Sequence, residues 1–340
     1  MKYFLILVIV ISSVENYYAQ IEGINGGPVN VQEGGVVDGV YIQEHVPTKK
    51  LIPYEHVREA DVVWSKRVWS FIDLREKINH PLYYPFDYYV EDSLGTVWVK
   101  NSSRWSLWTV VKHHILNGDL TIFEPKNPNS IFDGVLDGDQ FKYALEPQVG
   151  LNYLSDKAFQ RSVDGYLNIV TGGEYVSVKN SVGEDSTFIN PITGEDESPP
   201  PVFVEYKTPI LSEHIVQYRL KEAWFFDKER SVLDVRILGI APVIYEATKE
   251  GGKYKELFWL YFPHCRYVLN NYFAYNDQND AQWMSFDDLF WKRRFSSVMY
   301  KESNVYDRKI DSYKAGLDAL FEAEKIKEEI RTLEHDVWSF

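Results

Sequence analysis

Cysteine is nearly absent from this 340-residue chain, where Cys265 stands alone. A single thiol forms no internal disulfide, so core packing and subunit contacts must supply the stability. Positive charge is also short: 36 Lys and Arg face 50 Asp and Glu, a net charge of −14. That balance repels nucleic acid and anionic lipid. The basic residues nowhere gather into a stripe. Neither a nucleic-acid partner nor direct membrane insertion is therefore expected. Local catalytic motifs are missing too, with no glycine-rich phosphate loop, no H-E-x-x-H and no G-x-S-x-G. Enzymes whose groups meet only in space stay open. No cofactor is expected.

Long apolar runs are equally scarce. The run Tyr3–Ile11 follows Lys2 and falls well short of the roughly 20 residues that span a bilayer. A polar stretch ending Tyr17-Tyr18-Ala19-Gln20 comes next. That order reads as a secretory signal peptide over residues 1–19, cut after Ala19. No cysteine follows the cut to carry a lipid anchor, so an exported chain is expected to be held in place by partners. What the chain has in quantity is aromatic: 10 Trp, 24 Tyr and 19 Phe. Such side chains fill cores and also crowd interfaces.

Residues 20–50 carry glycine pairs, Pro28 and Pro47, with no hydrophobic period. They read as an extended, flexible N-terminal arm, in which Val36-Val37 and Val40-Tyr41-Ile42 suit strand addition to a partner. Residues 51–150 form a first dense unit and 209–310 a second. Between them, 151–208 read as an irregular, acidic, proline-rich linker. Residues 311–340 close the chain with a helix, whose Ala319, Ala323, Ile326, Ile330, Leu333 and Val337 repeat at spacings of four and three. That seam suits packing on its own domain or on another subunit.

The two dense units look related. Lys66, Trp69, Phe71 and Arg75 match Lys221, Trp224, Phe226 and Arg230 at one offset. Ser106-Leu-Trp-Thr-Val-Val111 resembles Ser285-Phe-Asp-Asp-Leu-Phe290, each a capping serine before a helix, with Asp288 completing a capping box. Val232–Tyr245 and Leu257–Phe262 are rich in strand formers and flank Gly251-Gly252, which predicts a hairpin. The expected fold is α+β: two related helix-strand-strand-helix-strand units, an extended N-terminal arm and a long C-terminal helix.

Three clusters bear on chemistry. Asp133, Asp137 and Asp139 surround Gly134 and Gly138, oxygen ligands that suit calcium although their spacing is not that of an EF-hand. His113 and His114 are adjacent on a predicted helix and point in different directions. His264 and Cys265 follow a strand, on opposite faces if it continues, which favours a packed thiol.

Several runs from the second unit onward resemble a known family. They are Tyr218-Arg-Leu-Lys-Glu-Ala-Trp-Phe-Phe-Asp-Lys-Glu-Arg-Ser231, Asp234-Val-Arg-Ile-Leu-Gly-Ile-Ala-Pro242, Leu257-Phe-Trp-Leu-Tyr-Phe-Pro-His-Cys-Arg266 and Tyr300-Lys-Glu-Ser-Asn-Val-Tyr-Asp-Arg308. Glu59–Trp69 and Pro81-Leu-Tyr-Tyr-Pro85 add to them. Together they resemble the gliding-motility protein GldN (PorN) family of Bacteroidetes, over roughly Leu51 to Phe340. The resemblance implies a periplasmic, non-catalytic subunit of the type IX secretion system. It implies a ring built with an outer-membrane lipoprotein of the GldK (PorK) type and with other copies of the chain. Contact with the tip of the inner-membrane motor is a further expectation. Trp69, Arg219, Trp224 and Arg230 are the candidates for interface or packing roles.

Two other classes compete. An exported hydrolase would use scattered acids such as Asp234 and Asp287. A glycan-binding module would need a row of coplanar, exposed aromatic rings.

Overall fold

The computed structural model of the chain describes residues 50–92, 95–102, 104–128, 136–177, 188–189, 196–197, 202–248, 251–279 and 284–338. The expected signal peptide, all of the expected arm up to residue 49, and Asp133 lie outside them. The chain divides into two compact bodies, one of residues up to Asp156 and from Leu211 onward, the other of Lys157–Ile210.

The larger body begins with a surface strap and a single 3-10 turn, Glu59–Asp61, which leads into β1 (Val62–Asp73). The helix α1 (His80–Tyr83), the hairpin β2 (Tyr88–Asp92) and β3 (Gly95–Val99), and α2 (Leu107–Asn117) follow. Short strands β4 (Ile122–Phe123) and β5 (Ala144–Leu145) close the first half. The smaller body holds α3 (Lys157–Leu167), β6 (Asn168–Val176), β7 (Phe188–Ile189), β8 (Asp196–Glu197) and β9 (Val202–Pro209). The chain returns through a second 3-10 turn, Ser212–His214, into β10 (Ile215–Asp227), β11 (Val232–Thr248), β12 (Gly251–Glu256) and β13 (Trp259–Tyr261). The helix α4 (Phe262–Leu269), strands β14 (Phe273–Ala274) and β15 (Met284–Ser285), α5 (Phe286–Trp291), β16 (Val298–Glu302) and α6 (Leu317–Trp338) complete it.

An antiparallel sheet in the order β16-β1-β10-β11-β13-β4-β5, with β12 added to β11, is the frame of the larger body. The α+β class and the long C-terminal helix are as expected, and three local expectations are corrected. A helix was expected to open each repeat, yet only the 3-10 turns are helical there and the matched residues form β1 and β10. Val62, Val63, Trp64, Phe71 and Ile72 are β-branched or aromatic, so they lose rotamer freedom in a helix and fit a pleated sheet. His264 and Cys265 lie in α4 rather than on a strand, because Pro263 sits where a helix begins. The segment expected to be an irregular linker holds α3, whose Phe159, Val163 and Leu167 are buried at spacings of four, and the β6–β9 ladder.

Antiparallel pairing also fixes how the repeats meet. Trp69 lies opposite Lys221, and Lys66 opposite Trp224. Side chains alternate along a strand, so the matched tryptophans fall on opposite faces of one sheet. Trp69 packs with Ala241 and Trp259. Trp224 packs with Val68, Met299, Ile326 and Ile330.

The helix caps follow the sequence. The Ser106 hydroxyl accepts from the Thr109 N–H, and α2 ends at Gly118 in the left-handed region. Ser285 and Asp288 form the capping box of α5. The α6 seam packs within the larger body: Ala323, Ile326 and Ile330 are buried against Val68, Met299 and Ile310. Each isoleucine so buried contributes about 1.5–3 kcal/mol.

Candidate interaction sites

Two side-chain clusters in the larger body gather most of the residues that the sequence singles out. The first lies on the Trp69 face of the sheet. The Trp69 indole N–H donates to Asp139 Oδ2 over 3.0 Å. The Lys221 ammonium donates to the Asp139 backbone carbonyl over 2.6 Å and lies 3.2 Å from its carboxylate. Two cations flank the indole, Lys301 at 4.6 Å and Lys221 at 5.7 Å from the ring centroid. Burial lowers the Lys221 pKa, and the Asp139 carboxylate opposes that shift. Beside this group, Arg219 pairs with Glu256 and covers the Tyr300 ring at 5.1 Å. The Trp259 indole donates to the other Glu256 oxygen over 2.8 Å.

This geometry decides the fate of the aspartate cluster. Asp139 is committed to Lys221 and Trp69. Among the described residues no group of three or more His, Cys, Asp or Glu is placed to hold a metal ion. Gly138 has its own reason to be glycine: a Cβ there would come within 2.5 Å of the Glu124 carbonyl oxygen and the Pro125 Cα.

Trp224, on the other face, is half-buried, with the Arg293 guanidinium 5.6 Å from its ring. Arg293 pairs in turn with the buried Glu222 at 2.6 Å. Trp69, Arg219 and Trp224 thus all have partners inside the larger body. So does Arg230, which donates to Asp227 over 2.7 Å and pairs with Glu55.

That last pair opens the second cluster. The strap from Lys50 to Arg58 has no regular secondary structure. Tyr54 anchors it. Its ring stacks on Trp291 at 5.4 Å and 23°, with the Arg266 guanidinium at 4.3 Å and Arg236 at 5.2 Å. Arg266 donates to the Ile52 carbonyl over 2.8 Å and Arg236 to the Glu55 carbonyl over 2.5 Å. Arg266 is itself locked, donating twice to Asp287 over 2.7 and 3.0 Å in a buried pair. Burial pushes the Tyr54 phenol up to about 12 despite the Arg266 cation. A cavity of about 470 Å³ lies between the strap and the residues Val232–Ile237 of β11. Nothing local in the sequence marks Tyr54, because its partners stand far along the chain.

Asp234 and Asp287, the acids of the hydrolase reading, both line this cavity. Both Asp287 oxygens are taken by Arg266, and Asp234 accepts from the Val235 N–H over 2.8 Å. The adjacent histidines serve different partners. His114 bridges Asp119 at 2.6 Å and the Tyr272 hydroxyl at 2.9 Å, whereas His113 meets Lys100 at 3.3 Å. Burial, then the Lys100 cation, pushes His113 down to about 4. Burial pushes the Cys265 thiol up to about 12, the wrong direction for a nucleophile. Of the exposed aromatic neighbours, Tyr245 and Tyr254 meet at 65° and Tyr83 and Tyr84 at 64°, not as coplanar platforms.

Comparison with known proteins supplies the deciding observation. The family described as gliding motility associated protein GldN matches residues 57–339. The chain belongs to the GldN family. The match takes in the whole sheet and nearly all of α6, and starts just past the Tyr54 strap. GldN membership associates the chain with gliding motility and type IX secretion, in a family of structural components rather than a known enzyme family. No curated protein matches the chain significantly.

Proposed function

We propose that the chain is a non-catalytic structural subunit of the type IX secretion and gliding machinery. It works in the periplasm, beneath the outer membrane, in a ring of many copies with a lipoprotein of the GldK (PorK) type. The family match over residues 57–339 carries this reading. Two features of the fold support it. The acids that a hydrolase would need are engaged by Arg266 and by backbone. The larger body also presents large apolar side chains to solvent: Leu317, Leu320 and Phe321 on α6 are 66%, 53% and 66% exposed, the kind of patch that contacts bury. Tyr88, Val90 and Val97 form a second such patch on the β2–β3 hairpin.

Native pull-down of the tagged chain from an outer-membrane fraction, followed by mass spectrometry, tests the reading. A ring-forming lipoprotein should be recovered with it. Recovery of the chain alone, from the soluble periplasm, would overturn it.

A further inference from the structure

The strap is a separable part of the fold. Ile52, Pro53 and Glu55 are exposed, and no backbone ladder joins the strap to the sheet. Its hold on the body is the Tyr54 ring, two carbonyls and the Glu55 carboxylate. The receiving groove is built without it. Arg266 is fixed by Asp287, Trp291 stands at the end of α5, and Arg230 is fixed by Asp227. Only His56, Val57 and Arg58 link Glu55 to the 3-10 turn that opens β1.

We propose that this groove is a joint between copies, in which the strap of one chain docks into the groove of the next. The inference rests on the reading of the chain as an assembling subunit and names one of its contacts. A groove complementary to Ile52–Glu55 fits the same residues on any other copy, because every copy carries both halves. Contacts in the exchanged form equal those within one chain. The balance then depends on the strain in the three-residue link and on local concentration. A short hinge favours exchange. Strap and groove are different patches, so the contact is heterologous and repeats head to tail, closing into a ring when the rotation allows. The 49 residues before Lys50 would be carried across to the neighbour along with the strap.

The test uses the full mature chain with a benzophenone amino acid in place of Tyr54. Light and heavy isotope-labelled copies are mixed, allowed to assemble and irradiated. Cross-links from position 54 to the Trp291 region should join light to heavy chains as often as random mixing requires. Links confined to chains of one label, in a sample that light scattering shows to be oligomeric, would overturn the joint and leave assembly standing. A sample that never self-associates would remove both. A second arm avoids the probe. Tyr54→Ala has a broken strap and a whole groove; Arg236→Ala with Trp291→Ala has the reverse. Each alone should lose self-association by about tenfold or more in Kd, and an equimolar mixture should recover pairs. Failure of the mixture to pair, with both variants folded by circular dichroism, would also overturn the joint.

Discussion

Arg266 holds Asp287 through two hydrogen bonds, 2.7 and 3.0 Å long, and both side chains are almost wholly buried. Removing one member leaves a buried charge without its partner, which costs about 3–5 kcal/mol. Asp287→Ala should therefore lower the unfolding free energy by that amount in urea titration. Arg266→Met combined with Asp287→Leu should cost much less, since no charge is stranded. An Asp287→Ala variant as stable as the parent would show that the pair is not what fixes the groove.

His113 gives the stability a pH dependence of known sign. Its ordinary pKa of 6.5 is lowered in the folded chain to about 4, by burial first and Lys100 second. Between those values the unfolded imidazole takes a proton that the folded one refuses. Protons therefore favour unfolding, and stability falls as pH drops from about 6.5 towards 4. Denaturation midpoints measured across this window should fall more steeply in the parent than in His113→Gln. Equal slopes would contradict the assignment.

Two apolar sets on α6 should behave differently. Ile326→Ala and Ile330→Ala empty a packed cluster with Val68 and Met299 and should each cost about 2–5 kcal/mol. Leu320 and Phe321 face solvent, so their alanine variants should stay within about 0.5 kcal/mol of the parent. If they serve contacts, those same variants should weaken recovery of the chain with its partners in pull-downs. Loss of stability at Phe321 would place it in the fold rather than at a surface.

Cys265 should be silent in the native chain. It is buried, and its thiol is pushed up to about 12, so thiolate is scarce at neutral pH and reagents cannot reach it. Labelling with a chromogenic disulfide should occur only as fast as the chain opens and should become immediate in strong urea. Rapid labelling without denaturant would contradict the burial.

Legibility in the sequence followed the range of the interactions. Local signals were readable: the Ser106 cap, the Ser285–Asp288 box and the Ala323-Ile326-Ile330 seam all depend on residues within a turn or two. The strands β1 and β10 were harder to read because both sheet faces are covered at their centres. Val68 packs on one face and Trp69 on the other, so the polar–apolar alternation that marks a half-exposed strand is lost. The linker hid α3 because acidic and proline residues dominate the segment after it, although Phe159, Val163 and Leu167 carry a clear spacing of four. The Tyr54 groove was not legible at all: one tyrosine beside a proline has no period, and Arg236, Arg266 and Trp291 reach it only through the tertiary fold.

The most direct test of the structural role is the mass of the native particle that carries this chain, released from the outer-membrane fraction in mild detergent and measured by mass photometry. Particles of many copies, containing a lipoprotein in fixed ratio, are the expected result. A particle with the mass of one chain, free of any lipoprotein, would contradict it.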